Sequence, residues 1–405
     1  MKSYHMHLPI LLLFVALSVL SCSPDQEPMD SLIKDRLERS LQQYQMMAET
    51  LIDTPGKLPQ SVDMKGQLLT TNPQGWASGF LPGTLWYLYE YSGDPTILKY
   101  ARNYTQRLEG EKNNRNTHDL GFMLYCSFGN GYRLTGDSTY RETLLIGAES
   151  LSSRYDAHIG CIQSWESNDK WQFPVIIDNM MNLEFLLWAA RAADCSRYRD
   201  ISVSHSNKTI ENHFRPDYSS YHVVSYDTIT AEVEKKSTHQ GYADESAWSR
   251  GQAWGLYGFT VMYRETQNRE YLSQAKHIAA FILNHPNLPS DKIPYWDFDA
   301  PDIPDTFRDA SAGAIIASAL IELSQYVDDT LKKEYLDVVE KQIRSLSSPE
   351  YFAESGNNGN FILKHSVGYL PGKMEIDVPL SYADYYYIEA LLRYKRLLEN
   401  KGAYK

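Results

Sequence analysis

Cysteine is scarce in this sequence, which contains four cysteines among 405 residues. Cys22 falls in the N-terminal leader described below, and the other three, Cys126, Cys161 and Cys195, lie far apart. An odd, widely spaced set without a C-x-x-C pair predicts neither a zinc or redox site nor a disulfide framework. We expect the three cysteines to be small apolar side chains in the core, and we expect no metal site.

Positive charge is also in short supply, with 39 Lys and Arg against 51 Asp and Glu and a formal net charge of −12. A general nucleic-acid-binding protein needs a basic footprint, so we expect no nucleic-acid partner. An anionic substrate would have to meet a local cationic pocket, because the overall field repels it. Hydrophobic residues at 43% and charged residues at 22% are typical of a globular protein.

Long hydrophobic runs are missing beyond the N-terminus, where residues 8–20 form an apolar stretch too short to span a membrane comfortably. The sequence VLSC at 19–22 resembles a bacterial lipobox with Cys22 as the lipidated first residue of the mature chain. Cleavage by the ordinary signal peptidase is the alternative. We predict a signal peptide over 1–22, a tether over 23–29 and an exported, periplasmic protein that meets the membrane only through its lipid anchor.

Strand signals are few, and a helix–turn–helix pattern recurs instead. Each of five turn sequences ends one helix and caps the next, at 92–101, 135–144, 193–201, 266–275 and 327–336. The helices before these turns are apolar nearly all round and should be buried, whereas those after them are amphipathic and should lie outside.

With further helices at 30–53 and 380–399, the pattern gives about twelve helices in alternating inner and outer roles. It predicts an all-α fold, an (α/α)6 barrel forming one catalytic domain over 30–400. A solenoid fits less well, because the repeats are irregular. The best hairpin candidate is 221–233. Four long loops are expected to build a site, at 155–177, 213–247, 286–308 and 350–379.

Two carboxylates stand near the starts of predicted inner helices. Asp119 follows Thr117 in THDLGF, and Asp178 opens an otherwise apolar helix in VIIDNMMNL. Each carboxylate could simply cap its helix. However, two inner helices that start at the same end of a barrel would direct both carboxylates into one cavity, where burial can raise the pKa of a catalytic acid.

A second cluster combines aromatic and polar side chains. Trp248 and Trp254 flank Arg250, and Gln240 lies just before them. Aromatic faces stack on sugar rings and a guanidinium can grip a carboxylate in a fork, although aromatic-rich inner helices are also expected in a core. The polar, Tyr-rich stretch 365–387 could form a lid over the cavity.

Four ordered motifs resemble the unsaturated glucuronyl hydrolases of glycoside hydrolase family 88. They are WASGFLPGTLW at 76–86, THDLGF at 117–122, FPVIIDNMMNL at 173–183 and SAWSRGQAWGLYGF at 246–259. The resemblance covers most of the mature chain. It implies an (α/α)6 barrel without a metal or cofactor, which removes the 4,5-unsaturated uronic acid that polysaccharide lyases leave on oligosaccharides.

The same resemblance assigns residues. Asp178 matches the general acid and base, and Asp119 matches the second essential carboxylate, expected to stay ionised. The matched substrate-contacting positions are His118, Trp76, Trp165, His222, Gln240, Trp248, Arg250 and Trp254. The implied reaction starts with protonation of C4 of the unsaturated uronate, after which water adds at C5 and the resulting hemiketal opens to release the aglycone.

Three alternatives stay open at this stage. An unsaturated rhamnogalacturonyl hydrolase would apply the same chemistry to pectin fragments. A non-catalytic glycan-binding lipoprotein would not need the two carboxylates, and an ordinary inverting (α/α)6 glycosidase would act on saturated glycosides. Within the expected class, unsaturated disaccharides from heparin or heparan, chondroitin and hyaluronan are all candidate substrates.

Overall fold

The computed structural model describes residues 1–3 and 26–403, so the predicted leader and Cys22 lie outside the described residues. Within this part of the chain there are twelve α-helices: α1 Met29–Leu51, α2 Phe80–Ser92, α3 Pro95–Gln106, α4 Asn130–Thr135, α5 Ser138–Ser152, α6 Leu183–Ala193, α7 Ser196–His213, α8 Ser249–Thr266, α9 Arg269–Asn284, α10 Ala310–Leu323, α11 Asp329–Leu346 and α12 Ser381–Leu398. None of the described helices is long and apolar enough to cross a membrane.

Six helical segments close an inner ring. Helix α2 packs on α12 and on the segment Gly121–Gly129 that leads into α4, α6 packs on that segment and on α8, and α10 packs between α8 and α12. Every residue of α10 is buried, as expected of a helix surrounded by other helices. The inner helices are therefore the apolar ones that the sequence predicts.

An outer helix covers each inner one. Helices α1, α3, α5, α7, α9 and α11 lie against α12, α2, Gly121–Gly129, α6, α8 and α10 in turn. In α9 the buried residues recur at helical spacing, from Tyr271 through Ala275 and Ile278 to Ile282. Such a stripe packs on one neighbour and leaves the opposite face in water. The predicted (α/α)6 barrel is confirmed.

Nine short strands lie in the connections among the described residues. They are β1 Leu58–Val62, β2 Leu68–Thr71, β3 Tyr155–Asp156, β4 Cys161–Ile162, β5 Phe173–Ile176, β6 Val223–Tyr226, β7 Val233–Ser237, β8 Ser366–Tyr369 and β9 Met374–Val378. The predicted hairpin at 221–233 is present as β6–β7, and β5 adds a third antiparallel strand that the sequence did not indicate.

Two inner helices begin differently from the prediction. Residues Gly121–Gly129 wind as a π-helix, and Ile177–Asn182 form a 3-10 turn before α6. The two segments touch closely: the Asn182 side-chain oxygen accepts the Phe122 N–H at 3.2 Å, and a Cβ on Gly121 would come within 2.6 Å of that oxygen. This side-chain contact satisfies an N–H group of the first helical turn, which has no partner within the helix.

The close approach of Gly79 to the next inner segment provides a test of the fold. A Cβ at Gly79 would overlap the backbone carbonyl oxygens of Phe122 and Met123, and backbone cannot move aside as a flexible side chain can. We expect Gly79→Ala to lower the free energy of unfolding by about 1–3 kcal/mol, as measured by chemical denaturation. Gly110→Ala is the control, because its Cβ would meet no atom within 4 Å; equal stability of the two variants would contradict the packing.

Candidate active site

The starts of the inner helices surround one cavity of about 250 Å³. Trp76 lies just before α2, Asp178 in the turn before α6, Arg250 in the first turn of α8 and Tyr382 in that of α12. Three of the four long connections predicted to build the site complete the wall, 155–177, 213–247 and 350–379, whereas 286–308 contributes no lining residue. The full lining is Gln60, Trp76, His118, Asp119, Trp165, Ile176, Asp178, His239, Gln240, Arg250, Gly368, Tyr369, Met374, Glu375 and Tyr382.

The two predicted carboxyl groups meet in this cavity. Burial raises the pKa of Asp178 to about 7; Arg250 opposes the shift and Asp119 adds to it. Burial likewise raises the pKa of Asp119 to about 7, against hydrogen bonds from Thr117 and Asn182 and the charge of Arg154. Burial raises the pKa of both carboxyl groups, and the expectation that Asp119 stays ionised beside a protonated Asp178 stays a prediction.

Asp178 differs from a buried carboxyl group with a structural role. Asp384 is also buried and its pKa is also raised to about 7, but it accepts bonds from the Tyr44 hydroxyl and from the backbone N–H of Ile362 and Leu363, at 2.8–2.9 Å. By contrast, Asp178 Oδ2 is buried without a hydrogen-bond partner in the described chain. A buried carboxyl oxygen left in this state needs an explanation, and a reactive role is one that its place in the cavity supports.

His222 faces this unpartnered oxygen. Its Nδ1 accepts the backbone N–H groups of His239 and Gln240 at 3.0 and 3.1 Å, and burial lowers its pKa well below the usual value. The ring is therefore neutral with its hydrogen on Nε2. That nitrogen lies 3.7 Å from Asp178 Oδ2. The two atoms are too far apart for a hydrogen bond, so His222 is a close neighbour of Asp178 that leaves Oδ2 unpartnered.

The guanidinium of Arg250 is already engaged by the protein. Its Nη1 lies 3.0 Å from Asp309 Oδ2 and donates to the Val367 carbonyl, and its Nη2 donates to the Gly368 carbonyl at 2.7 Å. Arg250 therefore holds strand β8 against the barrel and contributes positive charge to the cavity wall. The guanidinium N–H groups that were expected to bind the substrate carboxylate are therefore engaged by Asp309, Val367 and Gly368.

The predicted tryptophans separate into two groups. Trp76 and Trp165 are half-buried and line the cavity. Trp248 and Trp254 are 3% and 0% exposed and lie behind the wall. Trp248 packs on the His222 ring with a centroid distance of 4.6 Å, and Trp254 lies beside Asp178 and lowers its pKa. The second pair therefore supports Asp178 and His222, with no face free for a sugar.

Several lining residues escaped the sequence analysis: Gln60, His239, Tyr369, Met374, Glu375 and Tyr382. The hairpin β8–β9, within the stretch considered as a lid, supplies three of them. The Glu375 side chain lies against Gly368, and a side chain at position 368 would collide with the Glu375 carboxyl group. This carboxyl group accepts a hydrogen bond from the Gln60 side-chain amide at 2.6 Å. The polar composition of 365–387 was the sequence feature that could have identified the lining residues of this hairpin. No sequence feature indicated Gln60, which lies on β1.

A second cavity, of about 320 Å³, lies further along the inner helices. Three arginines on its wall are paired with acidic groups: Arg133 and Arg396 contact Glu90, and Arg393 contacts Glu322 and Glu389. These compensated pairs hold neighbouring inner helices together. No group of three or more His, Cys, Asp or Glu side chains suited to a metal ion occurs within 1–3 and 26–403.

Comparison with known proteins agrees with the site. Residues 52–395 match the Glycosyl Hydrolase Family 88 profile. The unsaturated glucuronyl hydrolase of Formosa agariphila is 45% identical over 343 residues, covering 84% of this chain and 85% of that relative. The unsaturated chondroitin disaccharide hydrolase of Streptococcus agalactiae is 34% identical over 325 residues, covering 79% and 81%.

The solved structures agree as well. An unsaturated glucuronyl hydrolase specific for heparin superposes with a TM-score of 0.89 at 49% identity, covering 91% of this chain and 98% of that chain. Both the family profile and these relatives extend over most of the barrel. The resemblance seen in the four motifs is confirmed: the chain belongs to glycoside hydrolase family 88.

Proposed function

We propose that this glycoside hydrolase releases 4,5-unsaturated uronic acid from the non-reducing end of glycosaminoglycan-derived disaccharides by hydrating the vinyl ether double bond, with Asp178 as general acid and base. The observation that carries the residue assignment is the Asp178 carboxyl group itself. It lines the cavity, its pKa is raised to about 7 by burial, and Oδ2 has no hydrogen-bond partner in the described structure.

His222 Nε2 lies 3.7 Å from Asp178 Oδ2, beyond hydrogen-bond distance, so the carboxyl proton is not tied up by the protein. Asp178 transfers this proton to C4 of the substrate, which leaves oxocarbenium character at C5. Water adds at C5 and returns a proton to Asp178.

The remaining steps need no further catalytic group. The hemiketal at C5 opens to a ketone with cleavage of its bond to the ring oxygen. The hemiacetal left at C1 then collapses to an aldehyde and releases the aglycone. The retaining or inverting distance rule for paired carboxylates does not apply directly, because neither carboxyl group attacks C1.

The charges of the cavity favour an unsulfated second sugar. Asp119, Asp178 and Glu375 line it, and the guanidinium of Arg250 is paired with Asp309. The described wall holds no other Lys or Arg side chain that could receive a sulfate. Since the heparin-specific structure shares 49% identity with this chain, we propose unsulfated heparin-type unsaturated disaccharides as substrates.

The setting of the reaction follows from the substrate. A carbon–carbon double bond at C4 of a uronate is the product of an eliminating lyase, so we infer that a polysaccharide lyase acts upstream. We also infer export and lipidation at Cys22, which rest on the lipobox-like sequence VLSC. A periplasmic location suits a substrate small enough to be imported.

Asp178→Asn tests the residue assignment. We expect at least about a 100-fold loss of kcat, because the amide cannot supply the proton to C4. The assay follows the ultraviolet absorbance of the ene-carboxylate in a lyase-generated disaccharide. Asp137→Asn is the control, since Asp137 is an exposed cap of α5. An active Asp178→Asn enzyme would contradict the assignment, and an unchanged absorbance with the parent enzyme across glycosaminoglycan and pectin disaccharides would contradict the function.

The raised pKa of Asp178 also predicts how stability depends on pH. The pKa rises from 3.8 to about 7 on folding, so between these values the folded chain binds a proton that the unfolded chain releases, and the free energy of unfolding falls as pH increases. Asp178→Asn removes this dependence. Its stability relative to the parent should increase from pH 5 to pH 7, by about 1.4 kcal/mol per pH unit at most.

Calorimetric melting curves measure this difference. In the Asp137→Asn control, hydrogen bonds from Thr139 lower the pKa of the original carboxyl group, so this variant should lose stability by the same amount across the window. Parallel curves for the parent and Asp178→Asn would show that Asp178 titrates normally.

Glu375→Gln tests the inference about sulfate. Removal of this carboxyl group should raise kcat/KM for a 6-O-sulfated disaccharide relative to its unsulfated form by roughly tenfold, because two negative groups no longer meet in a poorly hydrated cavity. The matched control is Glu270→Gln on the exposed surface of α9. If the ratio of kcat/KM for the sulfated disaccharide to that for the unsulfated one is the same in Glu375→Gln, the parent and the control, Glu375 does not cause the preference for unsulfated substrates.

A further inference from the structure

Glu375 is the third carboxyl group of the cavity wall, and its backbone is strained. It lies in strand β9 with φ +53°, in the left-handed region that favours glycine. A glutamate held there costs free energy that a glycine would not. Strained residues gather at functional sites, so the conformation of Glu375 indicates a role beyond that of holding the fold together.

Two features hold the Glu375 carboxyl group in the cavity wall. Gln60 on β1 donates its side-chain amide N–H to Oε1 at 2.6 Å. Gly368, across the hairpin, leaves the space for Oε2, because a Cβ at position 368 would overlap that oxygen. The Gly368 carbonyl oxygen is itself fixed by hydrogen bonds from Gln240 at 3.0 Å and Arg250 at 2.7 Å. The carboxyl group therefore rests against backbone that is held in place.

Only one of the two carboxyl oxygens of Glu375 is used by the protein. Within residues 1–3 and 26–403, Oε1 has its bond from Gln60, whereas Oε2 accepts no hydrogen bond and Glu375 forms no ion pair. A carboxyl group with a structural role differs: buried Glu322 is paired with Arg264 at 2.8 Å and Arg393 at 3.0 Å. Oε2 is thus an acceptor that the chain leaves for a ligand.

The place of Glu375 along the cavity indicates which part of the substrate it meets. Its neighbour Met374 is 56% exposed, so this end of the hairpin lies at the mouth of the cavity. Asp178 lies in the turn before α6, where the inner helices begin. In the proposed reaction C4 of the uronate, at the non-reducing end, meets Asp178. The linkage at C1 then points towards the mouth, which brings the second sugar to Glu375.

We propose that Glu375 is a specificity-determining residue whose Oε2 accepts a hydrogen bond from a free hydroxyl group of the second sugar, and that Gln60 is the positioning residue that holds Oε1. The inference rests on the proposed function. A hydroxyl group is the donor that an unsulfated sugar offers, and its bond to a carboxylate is stronger than one between neutral groups. Sulfation of that hydroxyl would remove the donor hydrogen and also add negative charge.

This role explains why the wall holds a third carboxyl group although the substrate is an anion. Burial raises the pKa of Glu375, while the hydrogen bond from Gln60 and the charge of Arg250 lower it. A hydroxyl donor from the sugar adds a further contact that favours the carboxylate. Glu375 thus loses its water when the substrate enters, and the sugar hydroxyl takes the place of that water.

Glu375→Gly removes the acceptor without endangering the fold, because glycine adopts a φ of +53° freely. Calorimetric titration with an unsulfated unsaturated heparin disaccharide measures binding in the Asp178→Asn background, where turnover is expected to be slow. We expect the Kd to rise about tenfold, the effect of losing one hydrogen bond to a charged group. The Tm should stay equal to or above that of the background protein.

Lys373→Gly is the matched control. Lys373 has the same backbone conformation, with φ +56°, in the exposed turn of the same hairpin, and it does not line the cavity. It should leave the Kd unchanged at about 0.15 M salt, where exposed charges are screened.

Three results would contradict the proposal in different ways. An unchanged Kd in Glu375→Gly would show that this carboxyl group does no more than repel sulfate. A fall in Tm together with the loss of affinity would assign it a structural role. A folded Asp178→Asn protein that binds no disaccharide would contradict the proposed function itself, and the inference with it.

A double-variant comparison tests Gln60. Gln60→Ala should raise the Kd about threefold, because Oε1 loses the donor that fixes it. In Glu375→Gly the same change should have no further effect, since Gln60 acts through Glu375. Additive losses would show that Gln60 acts independently and would overturn its positioning role. Gln67→Ala, in the exposed turn between β1 and β2, is the control.

Discussion

Desolvation of two carboxyl groups is the constraint on which the site depends. Each would be ionised in water at neutral pH, and each is held where six inner helices begin and water is largely excluded. The barrel supplies this environment because its inner helices are apolar around their whole circumference, so the space that they enclose has a low dielectric constant. In such a place a carboxylic acid remains protonated near neutral pH and can donate to carbon.

The backbone fixes the tautomers of the two histidines nearest to the carboxyl groups. The Ser164 carbonyl oxygen fixes the hydrogen of His118 on Nδ1, and two backbone N–H groups fix that of His222 on Nε2. Burial lowers the pKa of both rings, so both are neutral. Neither histidine therefore adds positive charge beside Asp119 or Asp178.

Much of the fold was predictable from the sequence, because apolar periodicity and turn residues act locally. The ring of inner helices, the outer layer and the meeting of Asp119 with Asp178 all follow from helices that start at the same end. The partners of Arg250 were not predictable, since Asp309 and the Val367 carbonyl lie far along the chain. Trp254 was predicted to contact a sugar because its burial could not be read from the sequence. Phe122 and Tyr386, which bury it, pack on it from other helical segments. Glu375 escaped notice because it reaches the cavity only through the pairing of β8 with β9.

The central claim is that Asp178 is a buried acid protonated near neutral pH. The most direct test is a carbon-13 NMR titration of the carboxyl groups in substrate-free protein labelled at aspartate, with the Asp178 signal assigned from Asp178→Asn. A midpoint near 7 is the predicted result. A midpoint near 4, the ordinary value of an aspartate in water, would contradict the account.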